Sequence, residues 1–332
     1  MLKHLLSRHP VFLVAATVFL SLLIQGSAWP ADNMSAYYHL KNDDTIQDII
    51  DHPAFKGFGQ HLLTRDSDIA ALDMPISRIH SLLPYHGFVD GGTVVGALNY
   101  MIDDAAAGQD IFYDFYSDQQ KKTDPGKRST GLFFFRGQAG APFALICPGG
   151  GFSYVGSIHE GFPYAMELSK KGYNAFVLRY RTGQGGDTAT RDLAAALTYI
   201  FNNAEALEVS TSGYSLWGSS AGARMAAAIA SHGAGSFGGD RLPGPSAIVM
   251  AYTGYSGFSK NDPPTFITVS ADDGIVSIQA VERRVLGLRK AGIYVEYLRF
   301  RKAGHGFGLG TGTDAEGWIY QAIRFWEKHL PV

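Results

Sequence analysis

One stretch limits what this 332-residue chain can fold into more than any other, the run 213–234. Its apolar segment 214–217 is predicted to be a buried strand, and it meets the pattern G-x-S-x-G at Gly218, Ser220 and Gly222. An alanine-rich helix is predicted over 221–231, stopping near Gly233. Strand, sharp turn and helix in this order make a nucleophile elbow. The glycines permit a turn too tight for side chains, and the serine oxygen is pushed out above the strand end. In a chain with 40 glycines the pattern alone carries little weight. A glycine turn ahead of a packed helix is the alternative, and the surrounding chain has to decide between the two.

From Asp110 onward the pattern is regular. Strands are expected at 111–116 and 131–135, with a polar turn between them at 121–127. Strand 143–147, helix 161–171, strand 174–180 and helix 188–203 follow. Beyond the elbow come strands 247–252 and 265–270, helix 277–291, strand 294–299 and helix 317–329. An antiparallel start followed by repeated strand–helix units predicts an α/β fold, a mostly parallel central sheet with helices on both faces. Residues 29–108 show helical spacing only at 44–50 and 94–102, between loops rich in His, Pro and Gly. They read as an N-terminal extension packed on a catalytic domain spanning 109–332 and bordering its site.

The N-terminus has a different character. Lys3 and Arg8 precede an apolar run at 11–24, and small residues follow at Gly26, Ser27 and Ala28. This is the layout of a secretory signal, with cleavage expected after Ala28 and export to the periplasm or medium as the consequence. The run is short for a bilayer span, and an uncleaved anchor is the alternative. Cys147 is the sole cysteine, so the chain forms no internal disulfide; a buried, inert thiol is expected. With 46% hydrophobic residues, 17% charged and a net charge of −2, the chain can bury a large core and offers no basic surface for nucleic acid.

A serine hydroxyl needs a base, and the base needs an orienting acid. Downstream of Ser220 stand His232, His305 and His329. His232 ends the elbow helix and His329 lies in the last helix, whereas His305 follows a strand in the loop Ala303-Gly304-His305-Gly306-Phe307-Gly308, whose glycines free the backbone to aim the ring. The acid is expected after strand 265–270, where Asp273 is favoured and Asp272 is the alternative, one of them serving as a helix cap. After strand 143–147 the run Pro148-Gly149-Gly150-Gly151-Phe152 offers backbone N–H groups to an oxyanion, so Gly150 and Gly151 are expected donors together with Ala221. A phosphate loop would carry a following Lys-Ser/Thr pair or G-x-G-x-x-G spacing, and neither is present. Phe152 and Trp217 are candidates to line a substrate pocket, with Tyr154 near them; burial in the core is the other reading.

These residues resemble the α/β-hydrolase superfamily, and within it the esterase/lipase group with a glycine-triplet oxyanion loop. The string Pro148-Gly149-Gly150-Gly151-Phe152, Glu160-Gly161, Ala165, Gly172-Tyr173 and Tyr180-Arg181 is similar to the carbohydrate-acetylesterase-like branch. Pro148 stands where the hormone-sensitive-lipase-like branch usually has histidine. The resemblance implies Ser220 as nucleophile, His305 as base and Asp273 as acid, with no large cap insertion, no metal and no cofactor. It implies a secreted esterase acting on short acyl, especially acetyl, esters of small molecules or saccharides. A peptidase or amidase with the same triad, and a non-catalytic binding module, are the alternatives. A histidine base must be neutral, so activity should fall below about pH 6 to 7, where an ordinary imidazole takes up a proton. Oligomeric state is left open.

Overall fold

A computed structural model describes residues 37–65, 68 and 71–331; the expected signal segment 1–28 lies outside them. Among the described residues eight strands form one sheet. They are β1 (Phe112–Tyr113), β2 (Gly131–Phe135), β3 (Pro142–Cys147), β4 (Asn174–Arg179), β5 (Ser210–Ser219), β6 (Ala247–Ala251), β7 (Thr265–Ser270) and β8 (Val295–Phe300). Their order is β1-β2-β4-β3-β5-β6-β7-β8. The pairs β1/β2 and β2/β4 are antiparallel, and every pairing from β4 through β3 to β8 is parallel.

The near-continuous apolar runs of the central strands follow from burial on both faces. In β2, Phe133 and Phe135 join one core while Leu132 and Phe134 join the other, as the two-residue period of a strand requires. The first face is covered by α4 (Phe162–Lys170) and α8 (Trp318–Glu327), and by two N-terminal helices, α1 (Ile46–Asp51) and α2 (Gly91–Ala106). The second is covered by α5 (Gly185–Asn202), α6 (Ala221–His232) and α7 (Ile278–Lys290). Residues Ile46, Leu98 and Met101 thus share one core with Phe133, Ile146 and Val177 of the sheet.

Two expected elements take another form. The strand expected over 111–116 shrinks to the two residues of β1 at the sheet edge. The polar stretch expected to be a turn at 121–127 is instead helix α3 (Asp118–Thr123) followed by a 3-10 turn, Pro125–Ser129. A capping box explains the first: Ser117 accepts from the Gln120 N–H while the Gln120 side chain accepts from the Ser117 N–H. Strand β5 begins at Ser210, earlier than the apolar run suggested. Among the described residues no helix is long and apolar enough to cross a membrane.

Candidate active site

Ser220 stands between β5 and α6 with φ 50° and ψ −115°, a conformation that side-chain-bearing residues rarely adopt. The glycines on either side make the turn possible. A Cβ on Gly222 would lie 1.9 Å from the Cys147 carbonyl oxygen, and one on Gly218 would lie 2.5 Å from the Ala223 nitrogen. The Ser220 N–H donates to the Ala251 carbonyl at the end of β6 (2.8 Å), pinning the turn to the neighbouring strand. Cys147 is fully buried beneath this turn, and burial pushes its thiol well above the ordinary range.

The loop after β8 brings His305 over the serine. Its Nε2 lies 3.1 Å from Ser220 Oγ, and its Nδ1 lies 2.8 Å from Asp273 Oδ2. The Asp273 side chain is fully buried. Its other oxygen accepts from the backbone N–H groups of Ile275 (2.8 Å) and Val276 (2.7 Å), so the carboxylate is fixed on both sides. The two aspartates thereby separate by geometry. Asp272 does not touch the ring; it accepts from Ser270 Oγ (2.5 Å) and from the Gly304 N–H (2.8 Å), and these bonds hold its carboxyl below the usual range. It fastens the backbone beside His305. His329 turns away, its Nδ1 bonding the Phe325 carbonyl at the end of α8 (2.8 Å).

The glycine triplet follows β3 directly. Gly150 and Gly151 have φ of 127° and 61°, and a Cβ on Gly150 would lie 2.2 Å from the Tyr154 carbonyl oxygen. Ala221 opens α6, so its N–H has no acceptor within the helix and lies at the positive end of the helix dipole. Gly151, Ser220 and Ala221 line one cleft of about 440 Å³, together with Phe152, Arg224 and the loop 253–257. Gly150 stands behind that surface, its carbonyl accepting from Ser153 N (3.0 Å) and Tyr154 N (3.3 Å). Phe152 reaches the cleft. Trp217, expected as a pocket candidate, does not. It is buried on the α8 side of the sheet, packs edge-on against Trp326 and donates from Nε1 to Ser215 Oγ (2.8 Å). Strand alternation turns its ring into the core.

A buried polar group beside the triplet was not foreseen as part of the site. Glu160 is inaccessible to solvent; one oxygen accepts from the Gly149 N–H (2.6 Å). The other accepts from the Tyr252 hydroxyl (2.8 Å) and lies 2.8 Å from His86 Nε2. Burial alone would raise this carboxyl, but the charge and hydrogen bond of His86, with His159 and Tyr252, outweigh it and bring it to about 2. The far nitrogen of His86 bonds the Tyr154 hydroxyl (2.8 Å). A Cβ on Gly149 would stand 3.0 Å from Ser220 Cβ, so the chain segment that Glu160 holds abuts the serine. In the sequence, Glu160 was visible only within the family resemblance, and nothing joined it to His86, 74 positions upstream in the least regular part of the chain. Among the described residues no group of three or more His, Cys, Asp or Glu side chains is placed to hold a metal ion.

The strand order and the Ser–His–Asp contacts are those of an α/β-hydrolase. Comparison with known proteins agrees. The BD-FAE family profile matches residues 136–241. An acetylxylan esterase of Xylanibacter ruminicola is 22% identical over 240 residues, 63% of this chain and 50% of the relative. The chain thus spans about half the length of that curated relative. Among solved structures, an α/β hydrolase enzyme from a Medee basin deep-sea metagenome library is 26% identical, with a TM-score of 0.54 over 61% of this chain and 93% of that one. An acetyl ester-xyloside bifunctional hydrolase from Caldicellulosiruptor lactoaceticus shares the fold at 20% identity, with a TM-score of 0.58 over 65% of this chain and 95% of its own. The fold is that of the α/β hydrolases, and the proteins it is similar to include esterases.

Proposed function

We propose that this protein is an exported serine esterase that removes short acyl groups, acetyl above all, from small-molecule or saccharide esters. The observation that carries the reading is the chain of contacts from Ser220 Oγ to His305 Nε2 (3.1 Å) and from His305 Nδ1 to Asp273 (2.8 Å), built on a strained serine. In this reading His305 takes the hydroxyl proton as Ser220 Oγ attacks the ester carbonyl. The carbonyl oxygen becomes an oxyanion held by the N–H groups of Gly151 and Ala221, with Gly150 shaping the loop behind them. His305 then gives its proton to the departing alcohol oxygen, leaving an acyl-Ser220. Water attacks that acyl group with His305 again as base; His305 then returns the proton to Ser220 Oγ, and the acid leaves as carboxylate and a proton. Asp273 orients the ring and stabilises the imidazolium.

The acetyl preference draws support from the acetylxylan esterase likeness, and export from the composition of residues 1–28. Residues 109–332 would form the catalytic domain and 29–108 an extension packed upon it. Hydrolysis of p-nitrophenyl acetate against longer-chain esters and an anilide, with Ser220→Ala alongside, tests the reading. Fastest turnover on acetate with an inactive variant supports it. An anilide turned over faster than every ester would make the protein an amidase instead.

A further inference from the structure

Among the described residues, five that are not glycine have positive φ: Phe88, Phe152, Glu208, Ser220 and Tyr252. Ser220 is the attacking residue of the proposed reaction, Phe152 lines its cleft, and Tyr252 holds Glu160 while its ring packs edge-on against His305 (5.1 Å). Phe88 belongs with them in space. The N–H of Gly87 donates to the His305 carbonyl (3.2 Å), and a Cβ on Gly304 would meet the Phe88 ring at 4.0 Å. Yet Phe88 is 54% exposed. A large apolar ring held in water by an unfavourable backbone conformation, beside a reacting histidine, points to a use.

Tyr85, 43% exposed, supplies a second ring three residues earlier. It lies against the oxyanion loop, where a Cβ on Gly151 would meet its Cε2 at 3.1 Å. Its ring stacks on Tyr154 (5.6 Å, 26°) and its N–H donates to the Tyr154 hydroxyl (3.2 Å), while Tyr154 in turn holds His86. The Tyr85 ring is therefore anchored on Tyr154 beside Gly151, and the exposed Phe88 ring stands over Gly304, next to His305 in the chain.

We infer that Tyr85 and Phe88 form a platform for the alcohol part of the substrate, and that this part is a pyranose ring. The inference rests on the esterase reading above for its placement. His305 must protonate the departing oxygen, so the alcohol leaves past the loop that carries His305, whose backbone Gly87 and Phe88 touch. Half-exposed ring faces suit a partner with apolar C–H faces and hydroxyl edges that stay in water; an alkyl chain gains most from full enclosure, which this rim does not provide.

The test uses the full-length protein and two acetates, an acetylated methyl pyranoside and ethyl acetate, followed by acid release. The ratio of kcat/KM between them should fall at least fivefold in Phe88→Ala, mainly through KM on the pyranoside, and in Tyr85→Ala; Phe88→Trp should restore it. Phe88→Gly, which suits the positive φ, serves the same purpose should the alanine variant fold poorly. A ratio unmoved by all of these overturns the platform. In parallel, the unacetylated methyl pyranoside is added to Ser220→Ala, and saturation transfer from protein to sugar protons is read by NMR. Transfer that disappears in Ser220→Ala/Phe88→Ala supports the platform, and its absence in Ser220→Ala overturns it. Should the wild type cleave neither acetate, the esterase reading fails, and the NMR arm still decides whether the rings hold a sugar.

Discussion

At position 220 the backbone is as much a part of the site as the hydroxyl. A residue with φ 50° needs neighbours that force it, and Gly218 and Gly222 do so by admitting contacts that no side chain could share. Gly222→Ala places a methyl group 1.9 Å from the Cys147 carbonyl oxygen, so the expected result is misfolded or insoluble protein, seen as loss of cooperative thermal unfolding. The paired aspartates give a sharper prediction. Asp273→Asn should lower kcat by about 10³–10⁴, because the amide stabilises the wrong imidazole tautomer and no imidazolium. Asp272→Asn should cost less than roughly tenfold, since its Oδ1 contacts are to Ser270 and the Gly304 N–H and an amide oxygen can still accept them. Steady-state kinetics of the two variants on one acetate ester checks the pair, and equal losses would contradict the geometry. The favoured choice of Asp273 in the sequence rested on its place after the strand 265–270. Trp217 was harder to place, because a tryptophan next to an elbow reads the same whether its strand turns it toward the cleft or into the core.

Among the elements, the connection from β3 through the glycine triplet to α4 is the one on which the proposed oxyanion site depends. It contains a single π-helical turn, Ser157–Gly161, which presents Glu160 to the Gly149 N–H. Such turns recur where a helix is bent to aim a functional group. Glu160→Gln keeps the shape and removes the charge that faces His86 and Tyr252. The expected outcome is a kcat lowered about 10- to 100-fold with KM nearly constant, together with a loss of stability, since a buried carboxylate that accepts from the Gly149 N–H and the Tyr252 hydroxyl has been taken away. Unchanged kcat would separate Glu160 from the reaction. The strands and helices from β2 onward were legible because two-residue and 3.6-residue periods are local properties of the chain. The joint of His86, Glu160 and Tyr252 was not, because it unites three distant segments through tertiary packing, with no period to announce it. The same limit hid α3, whose Ser117–Gln120 capping box was present in a stretch read for its polarity alone.

For the molecule as a whole, the N-terminal helices and the sheet share one apolar core, in which Ile46, Leu98 and Met101 lie with Phe133 and Val177. A chain starting at residue 109 would expose that face, so it should aggregate or bind hydrophobic dyes strongly, whereas a chain starting at residue 29 should unfold in a single transition. Acid stability is also set by buried groups. Burial lowers His159 from 6.5 to about 4, so it is neutral in the fold while the unfolded chain takes up its proton. Stability is then lost as pH falls from 6.5 toward about 4. Glu160 is brought from 4.5 to about 2, and its contribution, full above 4.5, is lost as pH falls through about 2. Asp104, raised by burial from 3.8 to about 6, acts in the opposite sense between those two values. His159→Gln should therefore flatten the decline in urea stability between about pH 6.5 and 4.5 by roughly 1–3 kcal/mol. An identical pH dependence in variant and wild type would contradict a buried neutral His159. Fluorophosphonate labelling of the intact protein, read by mass spectrometry, tests the central claim most directly. The account predicts one adduct per chain, located by peptide mapping at Ser220 and absent in Ser220→Ala. Labelling of the variant to the same extent, or an esterase-active wild type that takes up no label, would contradict it.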